Sequence, residues 1–529
     1  MEESHLLALH AHTSLASLRR HLAPGVRLRE TAPTAEYQRR TYLDTFDWRL
    51  LDGGKLLYIR GDESGNDTLV LSAGPAAADI TAPGEGHLEQ PAGDLLRRLP
   101  LFPAELPPGA VADDLRNLGN LRALLPAARC DVTIRRFAVL DELDKTIGRL
   151  AVETSAPGHT ILRLTPLRGF AREATAVVRA AAPAARRVDT GEALHLMAAG
   201  AERTPGAYST RVDLVIDPDA PAGSVTARVL GYFLSIMREN EAGVRQQTDT
   251  EFLHDYRIAL RRLRSYASIA KNTLEPKTMD ALKADLKTIS GYTGPARDLD
   301  VLLLRAEEYR AMLPPELEPG LEELFEWARG RTREAYDELA AFLDGPEYGR
   351  IMARWQDLGA GGSVPPELRG PDGSARIGEV GPAWLRRRVK RVAAGIDAVE
   401  TGAPDERMHR LRIDGKKLRY LLEIHSSLYP QKPVTRLVKH LKKFQDALGD
   451  WNDVSVQEQT LQDDLARMSA GGGNHTAVAA SIGGLLTQLR TRRAALVADY
   501  HRAAARFRLE IRAPRVSRMI RSSVHQGGS

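Results

Sequence analysis

One segment of the sequence occurs twice, and this repetition restricts the possible folds more than any other feature. Shifting the chain by 155 positions places residues 408–424 on residues 253–269 without a gap. The matched pairs are His254 and His409, Arg257 and Arg412, Ile258 and Ile413, Arg261 and Lys416, Arg262 and Lys417, and Arg264 and Arg419. The same shift aligns Gly294 with Gly449 and Asp298 with Asp453. A repeat of this length predicts a duplicated helical unit.

Each copy has the periodicity of an amphipathic helix with a cationic face. At about 100° per residue, four residues fall within about 80° of one another, namely His254, Arg257, Arg261 and Arg264. A solvated face usually mixes charges of both signs, but this sector of the helix contains no carboxylate. Thr248 and Glu251 have the spacing of a capping box and predict the helix start. Such a row of cations suits a linear polyanion better than a compact ligand.

The candidate binding residues come from both copies and from the helix that follows each of them. They are His254, Arg257, Arg261, Arg264, Lys287, His409, Arg412, Lys416, Arg419 and Lys442. Possible additions are Arg262, Lys283, Lys417, Lys439 and Lys443. Arg262 and Lys417 lie more than about 100° from the centre of the cationic face, which makes them peripheral candidates. Neither repeated histidine has a second His or a Cys at ligand spacing, so we predict no metal site, catalytic residue or cofactor.

The chain divides by pattern into two domains. Residues 1–215 predict an α+β domain rich in antiparallel sheet, with neighbouring strands in residues 39–61 and a hairpin in residues 132–154. Residues 220–512 predict an all-α domain made of a duplicated helical unit. Repeat one spans 220–358 and repeat two 383–512, with a Gly- and Pro-rich hinge at 359–382 and a flexible tail at 513–529.

Composition limits the class of protein. The 529 residues are 43% hydrophobic and include a single cysteine, Cys130, so no disulfide framework or cysteine metal cluster is possible. Residues 1–219 carry 26 Lys and Arg against 29 Asp and Glu, and residues 220–529 carry 48 against 40. A cationic surface for an anionic partner is therefore expected in residues 220–529. We find no long apolar segment and no signal peptide, which predicts a cytoplasmic protein without a membrane partner. The sequence carries no signal for an oligomeric state.

Residues 42–60, YLDTFDWRLLDGGKLLYIR, resemble the Y-x-D-T…L…G…L-R-x-R signature of the CYTH family, the triphosphate tunnel fold. The resemblance implies a tunnel-like, barrel-like domain with carboxylates that hold divalent metal beside a triphosphate. This chain departs from that pattern, because residues 2–5 lack the E-x-E-x-K spacing and residues 164–169 contain no carboxylate. Tyr58 replaces the first arginine of L-R-x-R. Without carboxylates a hard cation has no ligands, so we predict a domain that is not catalytic.

The repeated pattern H-x-x-R-x-x-x-[RK]-[RK]-x-R, followed by a Gly-containing segment ending in R-D or N-D, resembles the CHAD family. The match covers residues 220–512 and both repeats. It implies two four-helix bundles related by a pseudo-twofold axis and a basic groove that binds inorganic polyphosphate. Through that ligand it also implies association with polyphosphate granules.

Several alternatives remain at this point. A cationic helical face can simply be solvated, and a nucleic-acid binder would also meet the phosphate requirement, although it should place aromatic side chains on the cationic face. A triphosphate hydrolase in the first domain is the remaining alternative. Asp298 and Asp453 suit helix N-caps better than an acid–base role. His425 is expected at the edge of the core, and Tyr256 and Trp451 are expected to be structural.

Overall fold

The structure divides into two units, Met1–Ser209 and Thr210–Ser529. The computed structural model describes residues 4–22, 24–32, 34–61, 67–73, 87–118, 121–156, 158–198, 203–360, 364–399, 405–470, 472 and 475–521. Residues 2–3, residues 361–363 of the predicted hinge and residues 522–529 of the predicted tail lie outside these ranges.

The first unit is an antiparallel sheet with short helices. Its strands are β1 His5–Leu9, β2 Arg27–Glu30, β3 Glu36–Asp44, β4 Lys55–Gly61, β5 Asp67–Ala73, β6 His87–Pro91, β7 Leu125–Leu140, β8 Thr146–Ser155, β9 Thr160–Pro166 and β10 Ala185–Arg187. Its helices are α1 Leu15–Arg20, α2 Arg49–Asp52, α3 Leu95–Arg98, α4 Ala110–Leu115, α5 Ala171–Ala180 and α6 Thr190–Met197. The strand order is β10-β1-β9-β8-β7-β3-β4-β5-β6, and β2 pairs with β7.

Both predicted strand pairs are confirmed in this sheet. Strands β3 and β4 pair antiparallel, with Tyr42 opposite Tyr58, and β7 and β8 form a hairpin whose turn includes Asp144 at a positive φ of 60°. Asx side chains tolerate this left-handed conformation better than most residues do. The α+β antiparallel class predicted for this half is therefore confirmed.

The two faces of the sheet bury different kinds of side chain. Apolar residues of β4 and β5 pack on α3 and α4, while those of β7, β8 and β9 pack on α5. A polar cluster is also buried, in which Arg40 of β3 donates from Nη1 to Glu153 Oε2 of β8 at 2.9 Å. Arg40 Nε donates to Gln38 Oε1 at 2.8 Å, and the guanidinium lies 5.2 Å from the ring of Tyr58. Two opposite charges thus occupy the interior of the first unit.

The second unit is helical. Its helices are α7 Ala222–Arg245, α8 Thr250–Ile269, α9 Pro276–Leu304, α10 Ala306–Met312, α11 Glu318–Asp344, α12 Pro346–Ala360, α13 Ile377–Ala398, α14 Asp405–Ile424, α15 Gln431–Ala470, α16 Thr476–Ile511 and α17 Pro514–Arg521. Helices α7, α8, α9 and α11 pack together, and α13, α14, α15 and α16 do the same. The all-α class predicted for this half is confirmed.

The helix boundaries repeat the spacing found in the sequence. Helices α7, α8 and α9 begin at residues 222, 250 and 276, and α13, α14 and α15 begin 155 positions later at 377, 405 and 431. Helices α8 and α14 also end 155 residues apart, at Ile269 and Ile424. The duplication is thus a property of the backbone as well as of the side chains.

The predicted hinge at 359–382 is wrong at its C-terminal end. Residues 377–382 form the start of α13, and Pro382 lies inside that helix. The segment before α13 packs closely on residues 272–274. A Cβ atom added at Gly370 would lie only 2.3 Å from the carbonyl oxygens of Asn272 and Leu274. Glycine allows this approach between backbones, so close packing accounts for Gly370.

The predicted breaks before Asp298 and Asp453 are also wrong, and neither residue is an N-cap. Helix α9 continues through Pro295, and α15 continues through Gly449. Proline inside a helix costs about 3 kcal/mol and glycine about 1 kcal/mol relative to alanine. Burial of apolar residues on both sides of these positions outweighs that cost, since most helix stability in proteins comes from packing.

The first part of the predicted flexible tail is helical. Residues 514–521 form α17, which buries Val516, Met519 and Ile520. Arg515 of this helix donates from Nε to Glu510 Oε1 at 3.0 Å. The spacing of the three apolar residues gives one buried face, so the prediction of a flexible tail is wrong for residues 514–521.

Candidate functional site

Equivalent residues of the two repeats meet around one cavity of about 610 Å³, hereafter the central cavity. Eight pairs at the 155-residue spacing line it: His254 and His409, Arg257 and Arg412, Arg261 and Lys416, Arg297 and Asn452, Asp298 and Asp453, Val301 and Val456, Leu302 and Gln457, and Arg305 and Thr460. Tyr309 and Leu461 complete the lining. Residues that repeat in the sequence therefore line one cavity that both repeats share.

Helices α8 and α14 hold the cationic rows of the cavity. The start of α8 is one residue later than Thr248 predicts, since Asp249 is the N-cap and its side chain accepts from the N–H groups of Glu251 and Phe252. The apolar stripe of α8 buries Tyr256 and Leu260. This fixes the rotation of the helix, so that His254, Arg257 and Arg261 face the cavity.

Positive charge exceeds negative charge in the cavity. Six arginine or lysine residues and two aspartates line it. Burial, followed by the charge of neighbouring Arg261, lowers the pKa of Arg257 to about 10. Burial, followed by the charges of Arg412 and Arg261, lowers the pKa of Lys416 to about 8. The two repeats thus hold their cations close enough to repel one another, which an anion would relieve.

Two carboxylates partly balance these cations, which the helical face alone did not predict. Asp453 Oδ1 lies 3.2 Å from Arg412 Nη2. Burial raises the pKa of Asp298, and the charge of Arg257 opposes that rise. Both aspartates come from α9 and α15 and not from the cationic helices, so a view of one helix at a time missed them.

Several guanidinium donors in the cavity keep hydrogen-bonding capacity. Among the described residues, the Nε atoms of Arg257, Arg261 and Arg412 are buried without a hydrogen-bond partner. Arg257 also donates from Nη1 to Thr293 Oγ1 at 2.9 Å, which orients the side chain. A buried donor without a partner is costly, and guanidinium groups match the geometry of phosphate oxygens.

The two histidines make different hydrogen bonds at equivalent positions. Arg297 Nη2 lies 2.8 Å from His254 Nδ1, and because arginine only donates, this nitrogen is the acceptor. His409 Nδ1 lies 3.0 Å from Asn452 Oδ1, so here the ring nitrogen donates. In its neutral form His254 therefore carries its proton on Nε2, and His409 carries it on Nδ1.

Four of the ten main candidates lie outside the central cavity. Arg264 is exposed and donates from Nη1 to Ser290 Oγ at 2.9 Å. Arg419 Nε lies 3.7 Å from Glu423 Oε1. Lys287 and Lys442 are exposed. Six candidates do line the cavity, namely His254, Arg257, Arg261, His409, Arg412 and Lys416.

The five possible additions also lie elsewhere. Arg262 donates to the carbonyl of Thr210 at 2.6 Å and lies 3.4 Å from Glu423. Lys283 pairs with Asp280 at 3.3 Å. Lys417 is half-buried beside α13, and Lys439 and Lys443 are exposed. Arg262 thus ties the start of the helical unit to α14, which is a structural role.

Arg297, Asn452 and Arg305 are cavity residues that the sequence analysis did not select. Arg297 and Asn452 directly precede the repeated aspartates, so the 155-residue spacing itself could have identified them. Arg305 has no such signal, because its equivalent is Thr460. Only the continuation of α9 and α15 past the aspartates brings these positions to the cavity.

Other predicted residues are structural. Tyr256 and Trp451 are buried, as expected. His425 lies in the core and not at its edge, with 0% exposure, and burial lowers its pKa to about 3. Across the described ranges, no group of three or more His, Cys, Asp or Glu residues is arranged to hold a metal ion. In the same part of the chain, no helix has the length and apolarity needed to cross a membrane.

Comparison with known proteins identifies part of the chain. Residues 228–462 match the family model described as the CHAD domain. The crystal structure of the CHAD domain from the plant Ricinus communis is 28% identical and covers 57% of this chain and 97% of its own, with a TM-score of 0.47. PptA from Streptomyces chartreusis is 14% identical and covers 54% of this chain and 99% of its own, with a TM-score of 0.41. A candidate adenylate cyclase from Vibrio parahaemolyticus is 11% identical over 36% of this chain and 98% of its own, with a TM-score of 0.22. Comparison with curated proteins gave no match.

Proposed function

Because residues 228–462 are a CHAD domain, we propose that this protein binds inorganic polyphosphate in the central cavity. The family resemblance implies this ligand class, and the cavity supplies chemistry that suits it. Phosphate groups in a chain can be met by arginine, lysine and histidine from α8 on one side and α14 on the other.

The observation that carries the proposal is the meeting of His254, Arg257 and Arg261 with His409, Arg412 and Lys416 around one space. A merely solvated cationic face would not need to converge with its duplicate. Burial first, and neighbouring cations second, lower the pKa values of Arg257 and Lys416, and a bound anion would offset both effects. One chain lying between both rows would neutralise them together.

The alternative ligand is nucleic acid, which also presents phosphates. Proteins that bind single strands place aromatic rings where bases can stack. Tyr309 is the one Phe, Tyr or Trp residue among the lining residues, and it is 1% exposed. The cavity thus offers cations without a stacking platform, which favours a ligand without bases.

For the first unit we propose a structural or binding role without hydrolysis of triphosphates. The buried pair of Arg40 and Glu153 supports this proposal, because the carboxylate is already held by a guanidinium at 2.9 Å. Arg40 and Arg163 also lower the pKa of Glu153 against the effect of its burial. A carboxylate engaged in this way is a poor ligand for a hard cation.

Titration of the full chain tests the proposal. Long-chain polyphosphate, single-stranded DNA and duplex DNA are compared at matched phosphate concentration and at several salt concentrations. We expect polyphosphate to bind more tightly at physiological salt. Equal affinity for DNA would reject the assignment, since backbone charge alone would then explain binding. Phosphate release from tripolyphosphate with Mg²⁺ or Mn²⁺ tests the first unit, and turnover would contradict its proposed role.

The ligand also suggests a location. We propose that the protein resides in the cytoplasm at polyphosphate granules, where such chains accumulate. Imaging of the tagged full chain with a polyphosphate stain tests this, and a distribution that does not follow the granules would contradict it.

A further inference from the structure

A second cationic cavity lies on α13, outside the central cavity. The segment at 386–391 reads Arg-Arg-Arg-Val-Lys-Arg. At about 100° per residue, Arg387, Arg388 and Arg391 share one face of the helix with Trp384. These four residues and Ile269, the last residue of α8, line a cavity of about 150 Å³, hereafter the outer cavity.

One carboxylate balances this cluster. Asp414 of α14 is buried, and its oxygens lie 3.5 Å from Arg388 Nη1 and 2.7 Å from Arg391 Nε. Lys417 stands one turn further along α14 and is half-buried. In the described part of the chain, no ion pair involves Arg387 or Lys417. Arg388, Arg391 and Lys417 therefore share a single aspartate, and Arg387 lies close enough to Arg388 to affect its pKa.

At the outer cavity, as in the central cavity, burial and neighbouring cations lower the pKa values of basic side chains. Burial lowers the pKa of Arg388, and Arg391 and Arg387 add to the effect. Burial also lowers the pKa of Lys417, together with Arg388 and Arg391. The wall behind the cations is apolar, since Trp384 is buried and packs edge-on against Tyr266. Arg388 and Lys417 are half-buried, so their charges are screened less than those of the exposed Arg387 and Arg391.

The carbonyl end of α8 explains part of this charge but not all of it. A helix C-terminus attracts cations, and its partial charge is about half an elementary charge. Asp414 and this helix end together fall short of four positive charges. The excess calls for an anion at the outer cavity.

Helix α14 connects the two cavities. Lys416 lines the central cavity, and Lys417 follows it in sequence. Consecutive residues lie about 100° apart, an arc of about 10 Å on a helix that is about 11 Å across. Asp414, which Arg388 and Arg391 contact, lies about 60° beyond Lys417 in the same direction around the helix. A linear anion that leaves the central cavity in this direction around α14 would meet these cations.

We propose that the outer cavity is a second phosphate site, which holds the part of a long polyphosphate chain that extends beyond the central cavity. This inference rests on the proposed function. It predicts that residues outside the central cavity make the affinity depend on the length of the polyphosphate chain. Tripolyphosphate is too short to occupy both sites, so it should be insensitive to changes at the outer one.

The test uses the full-length double variant Arg387→Gln/Lys417→Gln, which leaves the pairs of Arg388 and Arg391 with Asp414 in place. The matched control is Arg386→Gln/Lys390→Gln, which removes the same charge from the same region. Both control residues are exposed and do not line the outer cavity. Thermal unfolding of each variant verifies that it is folded.

We expect the test variant to bind long-chain polyphosphate about tenfold more weakly. The slope of log affinity against log salt should fall by about 1.4, or about 0.7 for each of the two cations removed. Tripolyphosphate affinity should not change, and the control should match the unaltered protein for both ligands. Equal weakening by test and control would reject the site in favour of net charge. An unchanged affinity in the test variant would also reject it. If the unaltered protein bound no polyphosphate, the proposed function itself would fail instead.

Discussion

Arg261 and Lys416 occupy equivalent positions in the two repeats and line the same cavity, although 155 residues separate them in the sequence. The guanidinium of Arg261 is among the charges that lower the pKa of Lys416 to about 8, after burial and Arg412. Each repeat thus changes the electrostatics of the other. The two halves of the site should therefore behave as one unit in binding and in pH dependence.

Polyphosphate affinity should fall between about pH 7.5 and 9.5, by up to about tenfold, because Lys416 loses its proton in this range. Bound phosphate favours the protonated lysine, so binding takes up a proton above the free pKa of about 8. Isothermal titrations across this range at fixed ionic strength measure the effect. Lys416→Arg keeps its charge throughout, so its affinity should be flatter with pH. A variant as steep as the unaltered protein would assign the dependence to another group.

The lowered pKa of Lys416 also predicts how the free energy of unfolding depends on pH. The folded pKa of about 8 lies below the ordinary value of 10.5, so above about pH 8 the unfolded chain binds more protons. The free energy of unfolding without ligand should therefore gain a contribution that rises from about pH 8 to about pH 10.5. Comparing denaturation of the unaltered protein with Lys416→Met isolates this contribution. The variant should lack it, and an identical pH profile would contradict the assignment.

Charge reversal on either side of the cavity should weaken polyphosphate binding to a similar degree. Arg257→Glu/Arg261→Glu and Arg412→Glu/Lys416→Glu each remove cations from one row. Both should also reduce the salt dependence of affinity, whose slope reflects the number of phosphates neutralised. Binding isotherms at several salt concentrations supply both values.

The control for this comparison is Arg264→Glu/Lys287→Glu, since both residues are exposed outside the cavity. It makes the same change in net charge. A loss of affinity equal to that of the cavity variants would attribute binding to overall charge. If one cavity pair were silent, or if two chains bound independently, the shared site would be rejected.

The fold was predictable to the extent that local pattern determines it. The offset of 155 residues identified α8 and α14, and alternation of apolar residues identified the hairpin of β7 and β8. Errors occurred at Pro295, Pro382 and Gly449, where sequence rules favour a break. At these points tertiary burial stabilises the helix by more than the local cost, and burial is not visible in a short window.

The site was predictable where it repeats on one helical face. His254, Arg257 and Arg261 could be read from periodicity with their duplicates, because a single helix fixes their relation. Arg264 satisfies the same periodicity but lies outside the cavity, since the neighbouring helix determines which part of the face is covered. Asp298 and Arg305 enter the cavity from α9. Whether these two residues line the cavity depends on how the helices pack against one another, and the sequence of a single helix does not determine that packing.

Removing one partner of the buried pair between Arg40 and Glu153 should destabilise the first unit. Arg40→Met leaves a carboxylate buried without its 2.9 Å partner, which typically costs about 3–5 kcal/mol. Calorimetry of the full chain should show the transition of this unit lowered by about 10 °C, while the helical unit is unchanged. The double variant Arg40→Met/Glu153→Leu should recover much of the loss. A single variant as stable as the unaltered protein would show that the pair is dispensable.

Helix α17 should contribute to the stability of the helical unit, although the sequence alone predicts a flexible tail. Ending the chain after Arg512 removes Val516, Met519 and Ile520, which are buried. Full burial of an apolar side chain of this size contributes about 1.5–3 kcal/mol, so we expect a loss of several kcal/mol in chemical denaturation. Ending the chain after Arg521 is the matched control, because it keeps α17 whole. Polyphosphate affinity should be unchanged in both, since no residue of α17 lines either cavity. Equal stability of the two truncated chains would show that the helix is only loosely attached.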